Sequence, residues 1–326
     1  MMIGNSKPFR ELLNSLKMAA ATDASVLLLG ESGTGKELLA HFLHRHSRRK
    51  SQPFVAINCA ALPESLIESA LFGHRKGAFT GAVEHHEGHI QQADRGTLFL
   101  DEVAEMSLPV QARLLRFLES GEFQPVGESR VRQADIRLVA ATHADLATRV
   151  KAGHFRADLY YRLNVLPFTV PPLRERKGDI PLLLDGLSQL LAQQHGLAAC
   201  RYSPAVLGRL ERYAWPGNIR ELRNFCERML VLHAGKEIQP HQLPTEIKAS
   251  GNTAELAQSH GFKLPHNGIR LNELERDLLQ QALHQSGGNQ SKAARLLGLT
   301  RDAFLYRLKK YSIAGTRFRE RASATI

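Results

Sequence analysis

The run from Val26 to Leu43, VLLLGESGTGKELLAHFL, constrains this chain more than any other stretch. Val26 to Leu29 are consecutive apolar residues, short enough for a buried strand, although periodicity alone leaves a helix segment open. Gly30, Gly33 and Gly35 follow as a loop, and Glu37 to Leu43 has the make-up of a helix start. Strand, glycine loop and helix N-terminus in that order meet the needs of a triphosphate. Glycines let backbone N–H groups turn onto phosphate oxygens, the helix start adds positive field, and Lys36 reaches the outer phosphates. The pattern over Gly30, Glu31, Ser32, Gly33, Thr34, Gly35 and Lys36 is G-x-x-x-x-G-K. Glu37 stands where Ser or Thr normally serves magnesium. A glycine-rich turn that merely contained a lysine would need neither the strand before it nor the helix after it.

A second strand ends in acids. Gly96 to Glu102, GTLFLDE, is apolar up to Asp101 and Glu102. After a phosphate loop, Asp101 is placed to hold magnesium and Glu102 to orient or deprotonate the attacking water. Phe54 to Asn58 predicts another strand with Asn58 at its exit, and Ile136 to Ala141 one that ends at Thr142-His143. Phe9, Leu12, Leu13 and Leu16 predict a helix within Ile3 to Ala20, Gln111 to Glu119 is amphipathic, and Gly121 to Arg132 has hairpin-like turn signals. This alternation implies an α/β fold, a parallel sheet covered on both faces with ligands at the carboxyl ends of its strands.

Pro167, Pro171 and Pro172 mark the end of the sheet domain, which therefore spans residues 1–172. Apolar-periodic segments at Ile180 to His195, Ser203 to Tyr213 and Asn218 to His233 predict a helical subdomain over 173–245, with Asn218 as a helix cap. Residues 246–270 are rich in Ser, Gly, Asn and His and read as a linker. Residues 271–326 form an all-α domain. Leu271 to Gln285 is amphipathic through Leu274, Leu278 and Ala282. Gln290 to Leu297, the turn at Gly298-Leu299, and Arg301 to Tyr311 then give helix, turn, helix, with a basic second helix suited to a major groove.

Charge agrees with that assignment. The formal net charge is +11, and residues 291–326 hold nine Lys or Arg against two acids. An acidic partner follows, nucleic acid being the commonest. Cys59, Cys200 and Cys226 lack any metal or redox spacing and read as ordinary thiols in a reducing compartment. No apolar run approaches a membrane span and no signal peptide is evident, so the expected location is the cytoplasm. His41 with His44, and His85-His86 with His89, have spacings that metals accept, but no acid or cysteine completes either set. A further stretch, Glu68 to Ala82, closes on a glycine-bracketed tip, Gly77, Ala78, Phe79, Thr80, Gly81 and Ala82. A plain turn does not need an aromatic between two glycines, and an exposed Phe on a loop tip is a contact residue.

From about Ile3 to Ile313 the chain resembles the bacterial enhancer-binding proteins, AAA+ activators of the sigma-54 form of RNA polymerase. The motifs that carry the resemblance occur in order: GESGTGKE at Gly30 to Glu37, GAFTGA at Gly77 to Ala82, TLFLDE at Thr97 to Glu102, FRADLYYRL at Phe155 to Leu163 and WPGNIREL at Trp215 to Leu222. Glu37 is itself part of the family pattern. The resemblance implies a P-loop AAA+ ATPase with a helical lid and a Fis-type helix-turn-helix, using ATP and Mg2+. It implies that Gly30 to Glu37 cradle ATP, Asp101 serves magnesium and Glu102 prepares the water. Asn58 would act as a switch that draws Glu102 off its water, Thr142 as sensor, and Arg220 as the sensor arginine of the lid. Arg156 and Arg162, six residues apart and on their own as easily read as salt-bridge residues, match the fingers that reach a neighbouring subunit's γ-phosphate. Gly77 to Ala82 would engage the sigma-54 holoenzyme. Thr300, Arg301, Asp302, Tyr306, Arg307 and Lys310 would face a two-fold enhancer site, the assembly passing from dimer to hexamer.

Some positions depart from the pattern. His143 sits where the family has Asn after the sensor threonine, Asp302 replaces an Asn, and Leu305 and Tyr306 replace basic residues. The chain leaves no room for an N-terminal regulatory domain, which implies control by a separate protein or by expression level, as in the phage-shock type of activator. A DNA motor ATPase would share the phosphate loop, the acid pair and the fingers but would not need GAFTGA. A DNA-binding regulator with a relic ATPase domain would not need Lys36, Asp101, Glu102, Arg156 and Arg162 together.

Overall fold

The computed structural model describes residues 2–79, 81–249, 270–311 and 313. The chain divides into two compact units, within residues 1–254 and 255–326.

The first unit is built on a five-stranded parallel sheet of β1 (Val26–Leu29), β2 (Phe54–Asn58), β3 (Thr97–Asp101), β6 (Arg137–Thr142) and β7 (Leu166–Thr169). The order is β2-β3-β6-β1-β7. From β1 the chain crosses to the far edge at β2, fills back through β3 and β6, and only then adds β7 on the other side. The direction of winding thus reverses at β1, and a crevice opens at its carboxyl end, where Gly30 begins the phosphate loop. A small antiparallel hairpin, β4 (Glu122–Phe123) and β5 (Arg132–Gln133), lies between β3 and β6 in the chain.

Successive strand residues point to opposite faces, and both faces are buried. Leu27, Leu98, Leu100, Leu138 and Ala140 share one core with α3 (Glu64–Phe72), α5 (Leu108–Ser120) and α7 (Ala157–Leu163). Short helices α4 (His89–Gln92) and α6 (Leu146–Lys151) border it. Val26, Leu28, Phe99, Val139 and Ala141 face α1 (Lys7–Ala20) and α2 (Lys36–Arg45). Arg137 is fully buried beneath α1, donating to the carbonyls of Ala19 (2.8 Å) and Ala20 (3.1 Å) at the end of that helix.

One predicted boundary shifts. Pro167 lies inside β7, opposite Leu27, rather than beyond the sheet. β7 is an edge strand, where a missing N–H can face away from the ladder. The first helix lies within its predicted range, starting at Lys7, and Ile3 to Ser6 precede it as a strap. The buried carboxylate of Asp179 holds that strap, accepting from Asn5 N (2.6 Å), Ser6 N (2.8 Å) and Ser6 Oγ (2.7 Å).

The lid packs α8 (Ile180–His195), α9 (Pro204–Leu210) and α10 (Asn218–His233) around Leu184, Trp215, Leu222, Phe225 and Met229. The strand pair β8 (Arg201–Tyr202) and β9 (Glu237–Ile238) closes its far end. The indole of Trp215 donates to Leu210 O at 2.8 Å, so the buried ring leaves no polar atom unpaired. The stretch expected as linker opens with α11 (Thr245–Ala249), whose Ile247 is buried in the lid core. Residues 250–269 of that stretch lie outside the described residues.

The second unit contains α12 (Leu271–Gln285), α13 (Gln290–Leu296) and α14 (Arg301–Lys310) around Leu279, Leu283, Ala294, Phe304 and Leu308. Asn289 caps α13 by accepting from Lys292 N (3.1 Å), and Thr300 caps α14 by accepting from Ala303 N (3.3 Å). Ala282 is buried in this core as predicted, but its neighbours on α12 there are Leu279 and Leu283, while Leu278 is 43% exposed. Among the described residues no helix is long and apolar enough to cross a membrane.

Candidate functional site

The phosphate loop leaves β1 at Gly30 and enters α2 at Lys36. Gly33 and Gly35 hold φ of +78° and +95°, a region that side chains strain to adopt. Gly33 is also fixed by crowding, since a Cβ there would stand 2.4 Å from Gly217 O. Lys36, only 6% exposed, donates to Gly30 O (2.8 Å) and Glu31 O (3.3 Å), and its Nζ lies 3.5 Å from Glu102 Oε1. The ammonium therefore sits at the loop mouth between the backbone that would receive phosphates and the acid expected to activate water.

Asp101 and Glu102 stand at the end of β3, beside β6. Burial, followed by the Glu102 charge, holds the Asp101 carboxyl above its ordinary range. Glu102 adopts φ +52°. Burial alone would raise its carboxyl, but hydrogen bonding from His143 and the Lys36 charge bring it below the usual range. Glu102 Oε2 accepts from His143 Nδ1 (2.7 Å), His143 N (3.2 Å) and Thr142 Oγ1 (3.5 Å). Thr142 and His143 thus converge on Glu102, as their place at the end of β6 allows.

The expected switch residue does something else here. The Asn58 carboxamide accepts from Ala60 N at 2.9 Å, within its own loop, although its backbone is in register with Asp101. His143, not Asn58, holds Glu102. No feature of the sequence marks that contact, because it needs the register between β3 and β6.

The lid closes one side of the cleft, which encloses about 430 Å³. Ile3, Leu187, Leu190 and Ile219 give it an apolar wall, while Lys36, Glu37, Asp101, Glu102 and Arg220 line the polar end. Arg220 donates to Ser32 Oγ (2.9 Å), and Ile219 N to Gly33 O (2.9 Å). Asn218 is not the cap its position suggested. It is the first residue of α10, fully buried at φ +52°, and its side chain ties three segments together. It accepts from Leu173 N (2.8 Å) and donates to Glu31 Oε2 (3.1 Å) and Ser32 O (3.1 Å). Arg174 grips Glu31 with two further bonds, at 2.7 and 2.8 Å, and with Asn218 holds that carboxyl below its ordinary range. Sequence reading missed Arg174, although LRERKGDIP, dense in charge just past β7, is the signal that could have drawn attention to it.

The donor set suits magnesium. Asp101 and Glu37 offer hard carboxylate oxygens in one cleft, and the crowding of negative charge around Asp101 is what a divalent cation relieves.

The expected fingers stand apart from this cleft. Arg156 donates to both carboxylate oxygens of Asp158 (3.1 and 2.7 Å), and Arg162 donates to Leu118 O (2.6 Å). Both are exposed and neither lines the cleft. In the loop expected to make contact, Gly77 N donates to Ala82 O (2.9 Å), and Gly77 and Gly81 hold φ of +81° and +106°. Ala78 is half-buried and Ala82 buried. Phe79 is half-buried rather than exposed, its ring 5.0 Å from that of His74. Thr80 lies outside the described residues. In the second unit Thr300, Arg301, Asp302 and Tyr306 are exposed. Arg307 instead donates to Glu275 at 2.8 Å, and Lys310 lies 3.8 Å from the same carboxylate, so both are engaged with α12.

Comparison with known proteins agrees across the chain. The profile of the sigma-54 interaction domain matches residues 2–169, that of the AAA+ ATPase lid domain residues 174–260, and that of the Fis family of bacterial regulatory proteins residues 270–311. The transcriptional regulatory protein ZraR of Klebsiella oxytoca is 48% identical over 310 residues, which cover 95% of this chain and 68% of ZraR. The response regulator protein PilR of Pseudomonas aeruginosa is 45% identical over 312 residues, covering 96% of this chain and 70% of PilR. Among solved structures, NtrX from Brucella abortus in complex with ATP aligns with a TM-score of 0.71 at 31% identity, covering 96% of this chain and 69% of NtrX.

Proposed function

Because the chain belongs to the sigma-54 interaction family of AAA+ proteins, we propose that it acts in the cytoplasm as a ring whose subunits complete one another's ATP sites. It is a sigma-54-dependent transcriptional activator, an ATPase joined to a DNA-binding helix-turn-helix. One observation carries the ring reading: Lys36, Asp101, Glu102 and Arg220 share a cleft, while Arg156 and Arg162 are exposed and outside it.

On this reading Gly30 to Glu37 cradle the phosphates of ATP, and Lys36 exchanges the Gly30 and Glu31 carbonyls for phosphate oxygens. Arg220 follows the nucleotide with the lid, and the apolar wall takes the base. Asp101 and Glu37 would hold Mg2+, which when bound neutralises charge on the β- and γ-phosphates. Glu102 takes the proton of the water that attacks the γ-phosphorus, the bond to the bridging oxygen breaks, and ADP and phosphate result. Arg156 leaves Asp158 and, with Arg162, reaches the neighbour's γ-phosphate. The assembly runs from dimer to hexamer, and the loop Gly77 to Ala82 transmits the change to the sigma-54 holoenzyme while the helix-turn-helix holds a two-fold enhancer site.

Thr80→Ala tests the coupling. The variant is expected to hydrolyse ATP and bind DNA as the parent does, yet to lose open-complex formation by sigma-54 polymerase. Undiminished open-complex formation would refute the assignment of the loop.

A further inference from the structure

The phosphate loop is held by its carbonyls from the lid side. Asn218 Nδ2 donates to Ser32 O (3.1 Å), Ile219 N to Gly33 O (2.9 Å) and Arg176 Nη2 to Thr34 O (3.2 Å). In a planar trans peptide the C=O and the following N–H point in opposite directions, so a carbonyl fixed toward the lid fixes the next N–H away from it. The three bonds therefore orient the N–H groups of Gly33, Thr34 and Gly35. Gly33 and Gly35 line the cleft, whereas Thr34 is 2% exposed.

Asn218 and Ile219 come from the start of α10. Arg176 comes from the segment between β7 and α8 and has no part in the site described so far. Its side chain is 1% exposed, with the guanidinium carbon 4.7 Å from the centre of the Phe9 ring. Nε and Nη1 have no hydrogen-bond partner among the described residues. The Asp179 carboxylate spends its oxygens on the strap, and its charge only partly offsets the burial that holds the Arg176 guanidinium below its ordinary pKa. A buried cation with idle donors is costly, and an apolar side chain of the same length would fill the space at lower cost. The residue type therefore answers to something besides packing.

That something lies in the loop. Thr34 Oγ1 already donates to Glu31 O (2.9 Å), so the peptide between Thr34 and Gly35 is the unit left to align. A cation on its carbonyl also polarises that peptide and strengthens the positive end at Gly35 N–H. Gly35 is the N-cap residue of α2 at φ +95°, where loop and helix start together present N–H groups to an anion.

We propose that Arg176 is a positioning residue for the nucleotide: from the lid side it holds Thr34 O and so aims Gly35 N–H at a phosphate of ATP. The proposal rests on the reading of Gly30 to Glu37 as the phosphate cradle. The test uses the whole chain with Arg176→Met, Arg176→Lys and, as a control for the cradle, Lys36→Ala. Steady-state hydrolysis is resolved into KM and kcat, and the melting temperature reports on the fold. Arg176→Met should melt at or above the parent temperature, since it removes unpaired buried donors. It should raise KM for ATP about tenfold while moving kcat much less, the mark of a contact made alike to bound substrate and transition state. Arg176→Lys, whose ammonium can keep the bond to Thr34 O, should recover most of that loss. A methionine variant with the parent KM would overturn the assignment. So would one that melts well below the parent, which would make Arg176 a support of the fold. A lysine variant no better than the methionine one would mean that the bond to Thr34 O carries nothing, and overturns it too. Parent-like hydrolysis by Lys36→Ala would remove the cradle itself, whereas loss there beside parent behaviour in Arg176→Met removes only the role of Arg176.

Discussion

The nucleotide cleft and the finger-bearing face of α7 belong to one unit, yet they are wired differently. In the cleft, groups from distant segments satisfy each other: Asn218 joins Leu173, Glu31 and Ser32, and Lys36 and His143 meet at Glu102. At the start of α7 the Arg156 guanidinium is spent on its near neighbour Asp158, and on α7 that of Arg162 on a backbone carbonyl of α5. The first region is finished within one subunit and the second is provisional. Both side chains of that pair are exposed, so Asp158 restrains Arg156 only weakly against the charge of a phosphate. The contrast teaches where control lies. On the proposed reading a lone subunit can bind ATP with nearly everything it needs, while the charge that speeds hydrolysis would come from the neighbour.

The largest effect is expected from breaking that contrast at the fingers. Arg156→Ala or Arg162→Ala should bind ATP with parent affinity but hydrolyse it about 10³–10⁵ times more slowly. Mixing either variant with Lys36→Ala subunits should restore part of the rate, since one partner supplies the cleft and the other the fingers. Steady-state hydrolysis of the mixtures measures this, and a finger variant that hydrolyses at the parent rate would place all of the chemistry inside one subunit. Next comes Glu102→Gln, which keeps the cleft's shape but removes its base. Its rate should fall about 10²–10⁴-fold while equilibrium binding of ATP persists.

How legible each region was follows from the same difference. The phosphate loop, the acid pair and the bounds of α8 and α10 could be read because glycine spacing, strand-end acids and helical periodicity are local signals. Asn218 was misread for the opposite reason. After Trp-Pro-Gly a helix cap is the local expectation, and only the packed lid shows its side chain spanning three segments. On α12 Ala282 was read correctly but Leu278 was chosen over Leu279, because the two leucines are adjacent and equally apolar, and Phe304 and Leu308 on α14 decide between them. The strap at Ile3 to Ser6 could not be read because no local signal registers the waiting carboxylate of Asp179.

A smaller effect should sharpen the account of the cleft itself. Since His143 donates to Glu102 at 2.7 Å while Asn58 serves its own loop, His143→Ala should change kcat about tenfold and leave KM alone. Asn58→Ala should change kcat less. Equal effects of the two substitutions would mean that both residues hold Glu102 during turnover.

The smallest effects expected are on stability, and their signs oppose one another within a single cleft. Arg174 and Asn218 hold Glu31 below its ordinary pKa, so the clasp between loop and lid is fully present above the unfolded glutamate value and is lost as pH falls through the folded one. With both partners more than 40% exposed, solvent screening keeps its contribution small. Burial holds Asp101 above its ordinary pKa, so at neutral pH its charge works against folding, and that penalty disappears as pH falls through the raised value. Glu31→Gln should therefore lower the Tm of the nucleotide-free protein at pH 7 by a few degrees, with the difference shrinking in acid. Asp101→Asn should raise it, with that difference shrinking at a higher pH than the first. Melting curves of the two variants between pH 7 and 4 would separate them. Shifts of the same sign would mean that the Asp101 charge is already balanced within the free subunit, leaving less reason for a cation there.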